Sequence, residues 1–330
     1  MLPNITVEEL KGFYKGACHF AVSDGFLSAF HYCQKQIDHM SRETFDMDWR
    51  LRGMFSGGIR IEFITDSTEI SFDTRNNNKT THNYIDLYVD DMLECNYKID
   101  DMKYCNVHFT LKEGEKKVTI YLPTDSKLEI CNFKINGLYI HTCNKASRGR
   151  RNVLLIGDSI SQGYGPTYPS CAYVNALMRK TRLNILNQGI GGYRFEPKDV
   201  MAVEGFKPSK VMVVLGTNYY DEPCLELFGY DYEKSTVGFF EKLHQVYGNL
   251  PTLVVTPLWR CNGEVDYERL SWCTSIIKRE CRKYENVTVV DGFDLVPNVP
   301  MCFSDGIHPN EYGSELLATN LAKVIKSLNW

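Results

Sequence analysis

Val153-Leu154-Leu155-Ile156-Gly157-Asp158-Ser159-Ile160-Ser161 is the stretch that decides the fold of this 330-residue chain. Four consecutive apolar residues suit a strand covered on both faces, and a small polar turn follows at once. The theme returns toward the C-terminus at 184–186, 211–215, 253–256 and 287–290. Helical patterns fall between these runs at 172–180, 232–246 and 267–283. The last pattern, 311–328, places Leu316, Leu317, Leu321, Val324, Ile325 and Leu328 on one face. Five covered strands alternating with helices predict an α/β domain with a parallel sheet.

Toward the N-terminus the period changes to two. Ile59, Ile61 and Phe63 alternate with Arg60 and Glu62; Ile85, Leu87 and Val89 alternate with Asp86 and Tyr88. Val118, Ile120 and Leu122 repeat the pattern, and 128–135 is a further strand. Turn-forming clusters separate these runs, so an all-β sandwich or barrel is expected. A helix is expected ahead of them over 22–40. Residues 144–151 read as a linker, which divides the chain into 1–148 and 149–330.

Composition narrows the classes. Hydrophobic residues make up 43% and charged residues 24%, which excludes disorder, collagen and coiled coil. Residues 1–150 carry 19 basic and 21 acidic side chains, and 151–330 carry 18 and 20, so each half stands at -2. Neither half is basic, and no nucleic-acid partner is expected. None of the 12 Cys forms a Cys-x-x-Cys pair, so no zinc ribbon or redox motif is indicated. The longest apolar runs are too short to span a bilayer, and no membrane partner is expected. The first ten residues have no basic or apolar leader character, so a cytoplasmic protein with reduced thiols is expected.

In open α/β sheets, sites form beyond the carboxyl ends of the strands. After the first strand comes Gly157-Asp158-Ser159; after the second, Asn187-Gln188-Gly189-Ile190-Gly191-Gly192. Gly216-Thr217-Asn218 follows the third, and Pro257-Leu258-Trp259-Arg260 the fourth. Asp305-Gly306-Ile307-His308 precedes the last helix. A nucleophile, a base, an orienting acid and amide donors at one sheet edge are the parts that acyl transfer needs. Residues 151–330 contain only two histidines; His244 sits inside an amphipathic pattern and suits packing, which leaves His308 as the base. Read singly, Ser159 could be a helix N-cap and Asp305 with His308 a surface pair. Asp305-x-x-His308 lacks a third ligand, so no metal and no cofactor are expected.

Taken together, Gly157-Asp158-Ser159, Asn187-x-x-x-x-Gly192, Gly216-x-Asn218 and Asp305-x-x-His308 resemble the four blocks of the SGNH (GDSL-type) hydrolases. The resemblance covers about residues 151–330. It implies a three-layer, flavodoxin-like domain and a serine esterase. Ser159 would be the nucleophile, His308 the general base and Asp305 the orienting acid. Ser159, Gly192 and Asn218 would form the oxyanion hole, and Asp158 would bind nearby backbone groups. Many members carry Asp after the Asn; here Tyr219 and Tyr220 follow it. An all-β domain ahead of such a domain is similar to family 2 carbohydrate esterases with their N-terminal jelly roll. Some of those lack the triad acid, whereas this chain has Asp305. The implied substrate is a small-molecule or oligosaccharide ester, with O-deacetylation of an acetylated saccharide foremost. Alternatives are a lipid esterase, lysophospholipase or thioesterase using the same triad, or a carbohydrate-binding protein with an inactive hydrolase domain. Tyr193, Tyr219, Trp259 and Arg260 are candidates for lining the cleft; the two tyrosines equally suit packing, and Trp259 and Arg260 equally suit a partly buried Trp with a surface Arg. A homo-oligomer is compatible with all of this.

Overall fold

The computed structural model describes residues 5–40, 49–76, 83–99, 104–143, 151–218, 230–263 and 265–330. The quoted stretch forms the strand Arg151–Gly157 at the heart of a five-stranded parallel sheet. Leu183–Gly189 pairs on one side of it and Lys210–Val214 on the other, followed outward by Thr252–Val255 and Val287–Val290. The spatial order is therefore second, first, third, fourth, fifth, which is the flavodoxin-like order. Alternate side chains of the first strand serve different cores. Leu154 and Ile156 pack with Phe239, Phe240 and Ile277 from the helices Tyr232–Tyr247 and Tyr267–Cys281. Val153 and Leu155 pack with Tyr173, Leu177, Leu317 and Leu321 from Tyr173–Lys180 and Glu311–Ser327. Helices on both faces make three layers, and this explains the unbroken apolar runs.

The N-terminal region is a sandwich of two antiparallel sheets. One orders Tyr14–Lys15, Arg60–Thr65, Lys116–Tyr121, Tyr84–Val89 and Met92–Lys98 side by side. The other orders His19–Ser23, Phe26–Phe30, Leu128–Ile135, Glu69–Asn76 and Tyr104–Thr110. Their inward residues share one core: Ile61, Phe63, Val118 and Ile120 meet Phe72, Val107, Ile130 and Phe133. The Phe63 and Phe133 rings cross edge to face, with centroids 5.8 Å apart.

The helix expected over 22–40 is not formed. A hairpin, His19–Ser23 with Phe26–Phe30, takes most of that span, and only Gln34–His39 is helical. The reason lies in the turn. Asp24 and Gly25 both adopt positive φ, 52° and 81°, as a two-residue primed hairpin turn requires. Asp-Gly is a strong signal for that turn, and it outweighs the apolar spacing. The expected boundary at 148/149 lies outside the described residues.

The sandwich and the α/β unit share more than a surface. Phe30, Tyr32, Ile37, Met40 and Trp49 join the same core as Ile190, Tyr193 and Phe195. Tyr32 donates from its hydroxyl to the Gln188 carbonyl at 2.9 Å, and the Gln188 amide donates to the His31 carbonyl at 2.8 Å. The Ser170 backbone N–H donates to buried Asp86 at 2.7 Å. Gly57 lies so close to the first loop of the α/β unit that a Cβ there would meet the Gln162 carbonyl at 2.5 Å.

Gln162 is the most consequential of these links. It is fully buried; its Nε2 donates to the Thr124 carbonyl at 3.2 Å, and its Oε1 accepts from the Gly191 N–H at 2.6 Å. Gln162→Ala strands both backbone groups, at about 1–3 kcal/mol each. Urea denaturation should therefore show a loss of that order, and an unchanged midpoint would reject the link.

Candidate active site

The loop carrying the candidate nucleophile Ser159 is built by one short helix. Asp158, not Ser159, is its N-cap: the carboxylate accepts from the Ile160 N–H at 3.0 Å, and Ser159 takes the first helical position. The Ser159 N–H therefore has no carbonyl partner within its own helix. Burial pushes the Asp158 carboxyl up to about 7, although the Ile160 N–H and the Arg260 charge pull the other way. This matches the backbone-binding role expected of Asp158.

Asp305, His308 and Ser159 form an unbroken chain. Asp305 Oδ2 lies 2.7 Å from His308 Nδ1, and His308 Nε2 lies 2.8 Å from Ser159 Oγ. The other Asp305 oxygen accepts from the Ile307 and His308 N–H groups at 2.9 and 2.8 Å. Burial alone would raise the Asp305 carboxyl. The His308 N–H, the imidazole and the Ile307 N–H together hold it below the usual carboxylate range. An ionised carboxylate can only accept, so the proton belongs on Nδ1 and the bare Nε2 faces the serine hydroxyl. The loop carrying His308 is held in place by close backbone approach. At Gly165, φ is +109°, and a Cβ would sit 2.2 Å from the Pro309 carbonyl oxygen.

The amide donors are linked to the same loops. Gly192 has φ +78° in the tight turn after the second strand. That turn is tied to the nucleophile loop, because Ile190 N–H donates to the Gly157 carbonyl and Gly191 N–H to Gln162. The Asn218 side-chain amide donates to the Tyr193 carbonyl, one residue past Gly192, at 2.9 Å. This bond uses one of its two N–H groups. Asn187 donates to the Ser161 carbonyl at 2.7 Å, so the second block also braces the first.

The candidates for lining the cleft fare differently. Tyr193 is 4% exposed, packs edge-on against Trp49 and donates to Asp199. Trp259 stacks on Phe293 with centroids 3.8 Å apart, and its indole N–H donates to the Phe293 carbonyl. Arg260 was expected at the cleft surface or in solvent, but it is 2% exposed. Its guanidinium donates to the Thr217 carbonyl at 2.9 Å, which braces the loop carrying Asn218. An arginine is retained here because a polar partner compensates its burial. Tyr219 lies outside the described residues.

Sequence reasoning missed Gln162, Thr124, Tyr164 and Arg52. The Tyr164 ring lies 5.7 Å from that of His308. No periodicity marks such residues, because their partners are over 20 residues away. Among the described residues, no group of three His, Cys, Asp or Glu side chains could hold a metal, and no helix is long and apolar enough to cross a membrane.

Residues 155–316 match the GDSL-like lipase/acylhydrolase family, and the matched segment holds Ser159, Gly192, Asn218, Asp305 and His308. This domain belongs to that family. The chain is accordingly a carboxylic ester hydrolase. No curated protein matches its sequence. Solved structures resemble it over almost the whole length. A salicylyl-acyltransferase, SsfX3, from a tetracycline biosynthetic pathway is 18% identical, with a TM-score of 0.76 over 96% of this chain and 94% of its own. A GDSL-like lipase structure from Bacteroides ovatus is 17% identical, with a TM-score of 0.77 over 99% and 98%. An acetyl xylan esterase, Est2A, from the rumen bacterium Butyrivibrio proteoclasticus is 14% identical, with a TM-score of 0.68 over 100% and 99%. At these identities the likeness is one of fold. It shows that the fold of this chain, over sandwich and α/β unit together, recurs in these proteins.

Proposed function

We propose that this GDSL-type hydrolase cleaves acyl esters through an acyl-enzyme on Ser159, and that its substrates are O-acetylated saccharides. One observation carries the chemistry: the continuous Asp305–His308–Ser159 chain of 2.7 and 2.8 Å. His308 removes the serine proton as Oγ attacks the carbonyl, and Asp305 stabilises the imidazolium. The backbone N–H groups of Ser159 and Gly192 and the free N–H of Asn218 receive the developing oxyanion. His308 then protonates the leaving alcohol, and water repeats the sequence on the acyl-enzyme. A complete, assembled triad speaks against an inactive, purely carbohydrate-binding reading.

The saccharide reading draws on the likeness to an acetyl xylan esterase and on the sandwich that precedes the hydrolase unit. The sandwich contributes to the site by bracing it: Thr124 and Gly57 fix Gln162, which fixes Gly191. We divide the chain into 1–148 and 149–330, and Phe30, Tyr32, Ile37, Met40 and Trp49 of the first part pack into the hydrolase core.

Substrate class is tested by comparing kcat/KM for aryl esters of increasing acyl length with acetylated xylo- or manno-oligosaccharides. Acetyl groups should be preferred, and acyl chains of eight or more carbons should be poor substrates. A preference for long chains, or for acyl thioesters, would replace the deacetylase reading with a lipase or thioesterase one.

A further inference from the structure

Arg52 lies far from the catalytic blocks in sequence, yet it ends beside them. The short helix Trp49–Arg52 is clamped onto the oxyanion turn. Trp49 is buried, its ring meets Tyr193 at 4.8 Å, and the Arg194 guanidinium lies over it at 5.2 Å. This clamp delivers the Arg52 guanidinium to Gly191. A Cβ on Gly191 would lie 2.3 Å from Arg52 Nη1, so the cation occupies the space that a side chain there would take. Gly191 precedes the proposed donor Gly192.

Arg52 also acts on a tyrosine that neighbours the base. Burial pushes the Tyr164 phenol up, Asp125 adds to this and the Arg52 charge opposes it, so Arg52 lies within electrostatic reach of Tyr164. Tyr164 in turn lies against the His308 ring. A half-buried cation thus stands at the turn that carries Gly191 and Gly192. Among the described residues, no carboxylate pairs with it and no hydrogen bond occupies it. Partial burial without a partner costs free energy that an anionic ligand would recover.

We propose that Arg52 is a specificity-determining residue that binds a carboxylate carried by the ester substrate close to the scissile bond. The inference rests on the Ser159 site proposed above and deepens it: the preferred ester is anionic. The carboxylate could come from either side of the ester. An acetylated uronic acid carries it on the alcohol, in keeping with an acetyl substrate, whereas a dicarboxylic hemi-ester carries it on the acyl group and would replace acetyl by that group. A planar guanidinium suits both, because it offers two parallel N–H donors to a carboxylate.

The test is a ratio. kcat/KM is measured for 4-nitrophenyl hemisuccinate against its methyl ester, and for an acetylated methyl glucuronide against its methyl uronate. Wild-type protein should favour the charged member of at least one pair by about 10-fold or more, as a charge-assisted hydrogen bond warrants. The pair that shows the preference identifies the side of the ester that carries the carboxylate. In Arg52→Gln the ratio should collapse to about 1, and Arg52→Lys should restore part of it. A wild-type ratio near 1 in both pairs overturns the inference without any variant, as does a ratio that Arg52→Gln leaves unchanged. The two readings fail separately. Retained turnover in Ser159→Ala removes the catalytic site, whereas a dead Ser159→Ala with no charge preference in the wild type removes only the role of Arg52.

Discussion

Ser159→Ala should abolish turnover of an aryl acetate, lowering kcat by at least about 10⁴-fold while the fold persists. Ser159 Oγ is the only atom within 2.8 Å of His308 Nε2 that the described structure offers as a nucleophile. Without it, the base can activate only water, and no acyl-enzyme can form. The hydroxyl caps nothing, since Asp158 serves as the N-cap of that helix. Removing it should therefore change stability by no more than about 1 kcal/mol. Two measurements check this: initial rates on 4-nitrophenyl acetate, and the urea midpoint of the same preparation. A mass increase of one acetyl group on the wild type after rapid quenching, absent in the variant, would add the covalent intermediate. Turnover within tenfold of wild type would remove Ser159 from the mechanism and favour direct attack by water.

Asn218→Ala should lower kcat by about 10²–10³-fold with KM nearly unchanged, the signature of a donor that acts on the oxyanion alone. Its amide is fixed before reaction: one N–H is bound to the Tyr193 carbonyl, and Arg260 braces the preceding residue through the Thr217 carbonyl. Preorganisation of this kind makes a donor effective, because no reorientation is needed as charge develops. Asn218→Asp provides a sharper comparison. It keeps the shape but puts a carboxylate opposite both the oxyanion and the Tyr193 carbonyl, so it should be at least as damaging as Ala. A change confined to KM would assign Asn218 to ground-state binding instead.

Much of the α/β unit was legible in the chain because its signals are local. A strand buried on both faces must be apolar along its length, and Val153 to Ile156 could hardly form anything else next to a Gly-Asp-Ser turn. The candidate triad residues were legible from equally local patterns, since Ser159 follows the first strand and Asp305 and His308 share the loop before the last helix. The N-terminal sandwich was legible through its period of two. Over 22–40 the deciding signal is Asp24-Gly25, whose positive φ values set a hairpin in place of the expected helix. Trp259 and Arg260 were placed by loop position alone, and loop position does not say which way a side chain turns. Trp259 packs onto Phe293, and Arg260 turns inward to Thr217.

By itself, then, the sequence determined the order of strands and helices in the α/β unit, the family and the residue types that acyl transfer requires. Tertiary structure decided which of those residues meet and what holds them. It joined His308 to Ser159 across 149 positions. It also wired Thr124 through Gln162 to Gly191 and set Arg52 beside the oxyanion turn. The physical reason is range. Period and turn chemistry act between neighbours along the chain, whereas a buried hydrogen bond or an unpaired cation depends on groups that only packing brings together.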